Sequence, residues 1–242
     1  MSPFSVPTVA VVDDDEPMCR AIERTLRGHG FRVRAYTSSL LYLRERDAVD
    51  AQCVVADINM PELDGVGMHR AELESGHDVP TVFISGQVDV PTAVRAMKEG
   101  AIDLLEKPVE EALLLRSVRR GIARSSVQRE ARLELEGIWR ALSLLTPREA
   151  EVCALVASGR KNKHIARLIG TTEKTVKVHR ARVMEKLDLD SLAELVRLVD
   201  RALDDSSVLV MREGDPRRLH RSHVLNAMTS ALATAAATRD ES

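Results

Sequence analysis

The 242-residue chain has no apolar run near the roughly 18 residues a bilayer span needs. Its start, Met1-Ser-Pro-Phe-Ser-Val-Pro7, has no basic segment followed by an apolar core. A membrane protein or an exported one is therefore not expected, and cytoplasmic residence is. Cysteine is scarce as well. Cys19, Cys53 and Cys153 are odd in number, far apart and set in apolar surroundings, which reads as small buried hydrophobes in a reducing compartment, not disulfide partners or metal ligands. What is present, 44% hydrophobic and 30% charged residues, is enough for one or two domains, each with its own core.

The formal net charge of −2 hides a split. Residues 1–123 hold 14 Lys and Arg against 20 Asp and Glu, a net −6, whereas residues 146–203 hold 12 against 8, a net +4. An acidic front half suits a bound cation, and a basic rear half suits a polyanion.

In the front half, chemistry-bearing residues follow short apolar runs. Asp13 and Asp14 come after Thr8-Val-Ala-Val-Val12, Asp57 after Cys53-Val-Val-Ala56, Ser85 at the end of Thr81-Val-Phe-Ile, and Lys107 after Ile102-Asp-Leu-Leu-Glu106. Such runs, separated by helix-length amphipathic stretches, read as parallel strands with crossover helices, whose functional groups gather beyond the carboxyl ends of the strands. Three crowded carboxylates need cationic compensation, available from Lys107 and a hard divalent ion such as Mg²⁺. An ion held by Asp13 and Asp14 would orient a phosphoryl group against Asp57, a carboxylate able to act as nucleophile, with Ser85 and Lys107 beside the phosphoryl oxygens. Asp15 or Glu16 is expected to cap a helix begun at Pro17.

Val11-Val-Asp-Asp-Asp-Glu16, Asp57-Ile-Asn-Met-Pro61 with Asp64-Gly65, Ile84-Ser-Gly86 and Glu106-Lys-Pro108 resemble the receiver domain of two-component response regulators. The resemblance implies a flavodoxin-like, doubly wound parallel sheet of five strands over residues 1–123. It implies Asp57 as phosphoacceptor, Mg²⁺ held by Asp13, Asp14, Asp57 and the Asn59 backbone carbonyl, and Ser85 and Lys107 reading the phosphoryl group. Leu104 and Val109 stand where many members carry aromatics, so an aromatic switch is not implied. Two other readings are a phosphohydrolase using Asp13-x-Asp15 and a DNA-binding regulator that works without phosphorylation on a scaffold receiver.

The basic half opens on Leu145-Thr-Pro-Arg-Glu149, where Thr146 can cap a helix with Pro147 at its first position and Val152, Leu155 and Val156 on one face. Gly159 ends it. Asn162 is expected to cap a second helix carrying Ile165, Ala166 and Ile169, ended by Gly170, and Thr172 a third packed through Val176, Val183 and Leu187. This is the layout that delivers a helix to the major groove of DNA. The third helix offers Lys174, Thr175, Lys177, Val178, His179, Arg180 and Arg182 to bases and phosphates.

Leu145-Thr-Pro-Arg-Glu-Ala-Glu-Val152, Asn162-Lys-His-Ile-Ala166 and Glu173-Lys-Thr-Val-Lys-Val-His-Arg180 resemble the LuxR-type helix-turn-helix, and with the receiver they resemble a response regulator of the FixJ/NarL kind. That likeness implies an all-α, four-helix DNA-binding domain over 145–203. It also implies a transcription regulator and not an enzyme, a sensor histidine kinase and double-stranded DNA as partners, RNA polymerase as a further partner, and a homodimer on activation. Lys161, where a small polar residue is frequent, and Ala181, where some relatives carry a cation, depart from the pattern. Residues 124–144 read as a helical linker continuing a helix from Glu110 to about Gly137, or as a flexible one because Gly121 and Ser125-Ser126 weaken it. The tail, 204–242, is read as mobile, or as a docking helix on a Leu225, Met228, Leu232, Ala235 stripe.

Overall fold

The computed structural model describes residues 6–87, 90–203 and 216–237 and divides into two compact units, 1–130 and 131–242. The first alternates strand and helix: β1 (Thr8–Val12), α1 (Glu16–Gly28), β2 (Arg32–Tyr36), α2 (Ser39–Val49), β3 (Cys53–Asp57), α3 (Gly65–Glu74), β4 (Thr81–Ser85), α4 (Val90–Lys98), β5 (Asp103–Glu106) and α5 (Glu111–Leu142), whose residues from 131 on belong to the second unit, where Trp139 and Leu142 are buried. All strand pairs are parallel, in the order β2-β1-β3-β4-β5. β1, β3 and β4 are buried along their whole length, as strands covered on both faces must be, and so read as unbroken apolar runs. Alternate residues feed two cores. Val9, Val11, Val55 and Ile84 face Ile22, Leu26, Leu114 and Val118, while Ala10, Val12, Val54, Ala56 and Phe83 face Tyr42, Val66, Met68 and Ala96.

Helix starts follow local chemistry. Asp15 is the cap of α1, its carboxylate accepting from the Met18 N–H at 3.4 Å, with the helix beginning at Glu16, one residue before the expected Pro17. Asp64 caps α3 by accepting from the Gly67 N–H at 2.6 Å. α5 runs through Gly121 and Ser125-Ser126 without a break. Gly121 is there for space: a Cβ would lie 2.7 Å from the buried Cys53 sulfur. All three cysteines are buried as free thiols, and burial pushes Cys19 up to about 11 and Cys53 and Cys153 up to about 12.

The second unit contains α6 (Pro147–Ala157), α7 (Asn162–Leu168), α8 (Glu173–Lys186), α9 (Leu192–Leu203) and α10 (Pro216–Ala237). α6 starts with a full capping box, in which Thr146 accepts from the Glu149 N–H and Glu149 accepts from the Thr146 N–H. Gly159 (φ 77°) and Gly170 (φ 64°) take left-handed turns after α6 and α7, as expected. Two expectations need correction. Asn162 does not cap α7: Lys161 holds that position without a side-chain bond, and Asn162 is the first helical residue. The tail is also helical where it is described, since α10 packs into the core of this unit; residues 204–215 and 238–242 lie outside the described residues. Its buried stripe is Val224, Met228, Ala231 and Ala235, so the expected stripe is shifted, with Leu225 and Leu232 half-buried at its edge.

Candidate functional site

The carboxyl ends of β1, β3, β4 and β5 bring Asp13, Asp14, Asp57, Ser85 and Lys107 to one end of the sheet. Lys107 Nζ bridges the cluster, 2.8 Å from Asp13 Oδ2 and 2.9 Å from Asp57 Oδ1. Asp13 and Asp57 are buried and Asp14 is exposed, yet each can offer an oxygen within 4.8 Å of the others. Burial pushes the Asp13 carboxyl above its usual range, against the pull of Lys107 and of the Asp15 N–H. Burial acts to lower Lys107, but its bonds to the two carboxylates prevail and hold it above its usual value. A set of hard oxygen donors around an under-compensated buried carboxylate is a fitting place for Mg²⁺.

The backbone shapes the pocket as much as the side chains do. The other Asp57 oxygen, Oδ2, accepts from the Asn59 N–H at 2.9 Å, and Asp13 Oδ1 accepts from the Asp15 N–H at 2.9 Å. Gly65 donates its N–H to the Ile58 carbonyl at 3.0 Å, and a Cβ on Gly65 would collide with the Asp57 carbonyl oxygen. The Asp64-Gly65 pair is therefore both a helix cap and a point of close approach, and the sequence showed only its presence. Lys107 is placed by its own N–H, which donates to the Ser85 carbonyl at 2.8 Å. The Ser85 hydroxyl donates to the Gln87 carbonyl at 2.8 Å and accepts from the Asn59 side-chain amide at 3.4 Å. Neither the Gln87 nor the Asn59 side-chain contact was foreseen, because no local pattern announces them. Leu104 is half-buried, and Val109 packs against the core shared by α1 and α5.

In the second unit α8 buries Val176, Val183 and Leu187 and is capped by Thr172, which accepts from the Thr175 N–H at 3.2 Å. Lys174, Lys177, Val178 and Arg182 are exposed, with Val178 at 45%, and Thr175, His179 and Arg180 are half-buried. Arg180 donates to Asn162 Oδ1 at 2.8 Å, so this cation ties α8 to the start of α7. The far end of α8 is fixed by Lys186, whose ammonium lies 2.7 Å from Glu149 Oε2 and donates to the Leu144 carbonyl at 3.1 Å. Burial acts to raise Glu149, but Lys186 and Thr146 hold it below the usual carboxylate range. Arg148 pairs with Glu151 at 2.7 Å and donates to the Ile169 carbonyl in the turn before α8. Sequence reasoning missed these ties, and found only the Thr146 cap of the helix that Glu149 helps to close.

Residues 9–119 match the response regulator receiver domain family, and residues 143–199 match the bacterial regulatory proteins of the luxR family. The chain thus belongs to the two-component response regulators of the FixJ/NarL family, transcription regulators that join a receiver to a LuxR-type DNA-binding domain. Among its relatives is the tetrathionate response regulatory protein TtrR of Salmonella typhimurium, 38% identical over 80% of this chain and 92% of that one. Another is the transcriptional regulatory protein FixJ of Rhizobium meliloti, 36% identical over 79% of this chain and 94% of that one. Of solved structures, the response regulator StyR superposes with a TM-score of 0.68 at 38% identity, covering 81% of this chain and all of that one. Full-length FixJ from B. japonicum gives 0.51 at 34% identity, covering 82% and 98%. No helix among the described residues is long and apolar enough to cross a membrane.

Proposed function

We propose that Asp57 accepts a phosphoryl group from a cognate sensor histidine kinase in the cytoplasm, and that this event promotes homodimerisation and sequence-specific DNA binding. The observation that carries it is the Lys107 bridge between Asp13 and Asp57, which gathers a nucleophile, an acidic neighbour and a phosphoryl-reading cation at one point. Asp13, Asp14, Asp57 and the Asn59 carbonyl would hold Mg²⁺, which supplies charge neutralisation for the phosphoryl oxygens. An Asp57 carboxylate oxygen forms the new bond to phosphorus as the bond to the donor histidine nitrogen breaks. Lys107 then pairs with the oxygens of the phosphoryl group. The Ser85 hydroxyl leaves the Gln87 carbonyl for the same group, a rotation about one side-chain torsion. Asp15 caps α1, a local structural role that accounts for it without the phosphohydrolase reading.

Residues 1–123 act as the receiver, 124–144 as the linker and 145–203 as the DNA-binding domain. Lys174, Thr175, Lys177, His179, Arg180 and Arg182 reach phosphates and base edges, and Val178 meets a thymine methyl. RNA polymerase is the partner through which a bound dimer acts. Mass spectrometry of the intact chain treated with acetyl phosphate tests the chemistry. A Mg²⁺-dependent, acid-stable and base-labile adduct on Asp57, absent from Asp57→Asn, is expected; an adduct unaffected by that change contradicts it.

A further inference from the structure

α10 lies beyond the luxR-family match, which ends at 199, yet it enters the same core as the helices that match. Its effect shows on α6. Residues 152–156 are buried consecutively, and five residues in a row exceed one helical turn of 3.6, so no side of α6 faces solvent there. α10 supplies that cover through Val224, Met228, Ala231 and Ala235.

The contact reaches the helix-turn-helix at two points. Arg160, in the turn between α6 and α7, donates to the Ala235 carbonyl of α10. Just before Ala235 on α10, Ser230, Ala231 and Thr234 line a cleft of about 220 Å³ together with Leu155 of α6, Leu168 at the end of α7 and its cap Ile169. Ile169 is the residue whose carbonyl Arg148 holds. α10 therefore ties to the entry to α7 directly, and shares with Leu168 and Ile169 before α8 both a cleft and the core of this unit.

We propose that α10 is a brace that keeps the helix-turn-helix in its DNA-competent arrangement, so that DNA affinity in this chain depends on residues beyond 203. The role rests on the DNA binding proposed above and adds a fifth helix to the four the family resemblance implies. Loss of the brace lowers the competent fraction, and affinity falls by that fraction.

The test uses a duplex enriched from a random pool by the intact phosphorylated chain. A chain ending at Leu203 should bind it at least about tenfold more weakly, as a fall in the competent fraction to one in ten requires. Adding a peptide of residues 204–242 should restore binding. The slope of affinity against salt should stay that of the intact chain, because the phosphate contacts are unchanged. Equal or tighter binding by the shortened chain overturns the brace, and a shallower salt slope overturns it too by placing α10 on DNA. If circular dichroism shows the shortened chain unfolded, Met228→Ala in the full chain decides, with weaker binding supporting the brace and unchanged binding overturning it. Failure of the intact chain to enrich any duplex defeats the DNA-binding proposal itself. Acetyl phosphate labelling of Asp57 should be the same in every variant.

Discussion

At the scale of single residues, the pocket depends on groups whose surroundings set their charge. Burial forces Asp13 up although Lys107 favours its ionised form, whereas Lys107 is held up by its two carboxylate partners. These residues were legible in the sequence because each ends a strand. Glu72 was not, because a lone acid in a helix gives no sign of burial. It is fully buried on α3, with Tyr42 of α2 donating to Oε1 at 2.6 Å, and burial pushes it up to about 7 despite that bond and the nearby Arg46. Its folded value lies above the ordinary carboxylate value of 4.5, so the folded chain holds a proton that the unfolded chain has lost. Stability from this group is present at low pH, declines as pH rises from about 4.5 to 7, and stays lost above that. Glu72→Gln should remove this decline and stabilise the first unit by up to about 3.5 kcal/mol above neutrality, on the scale of ~1.4 kcal/mol per pKa unit. Urea unfolding of both chains from pH 4 to 8 reads the difference, and two parallel curves would rule the buried proton out.

At the scale of elements, caps and periodicity carried most of the information. The Thr146 and Thr172 caps and the glycine stops after α6 and α7 were readable because each is a local interaction within four residues. What failed were positions decided by distant partners. Asn162 has a capping side chain, but Arg180 of α8 engages it from 18 residues away. Gly121 has the weakest helix propensity of the ordinary residues, yet the close approach of Cys53 makes it the residue that fits. The alanine- and threonine-rich tail looks too polar to fold alone, and α10 forms because α6 offers it an apolar face. Glu149 illustrates the coupling between elements, since one carboxylate closes the α6 cap and anchors the end of α8 through Lys186. Lys186→Met leaves that carboxylate buried and unpaired, which should cost about 3 kcal/mol. Adding Glu149→Gln should recover part of the loss, and chemical denaturation of the single and double variants measures it. Additive losses would show that the pair is not coupled.

At the scale of the whole molecule, the charge split maps onto the division of labour. The acidic residues supply a pocket at the sheet's carboxyl end, and the basic residues line the exposed side of α8. The parallel sheet and the helix-turn-helix were legible, because ordered motifs at strand ends and helix caps report which elements are present. The fifth helix of the second unit was not, because nothing local predicts which surface a tail finds. Moving such a regulator from mostly off to mostly on requires roughly 5 kcal/mol of differential stabilisation. In the mechanism proposed above, phosphorylation would add about 1.5 to 2 negative charges beside Lys107, and a dimer interface would add to that stabilisation.

The most direct measurement is the affinity for an enriched duplex, with and without acetyl phosphate and Mg²⁺, for the natural chain and for Asp57→Asn. The proposed mechanism predicts a gain in affinity, with dimer formation, for the natural chain and none for the variant. Equal affinity in all four conditions would contradict it and leave a regulator that grips DNA whatever the state of its receiver.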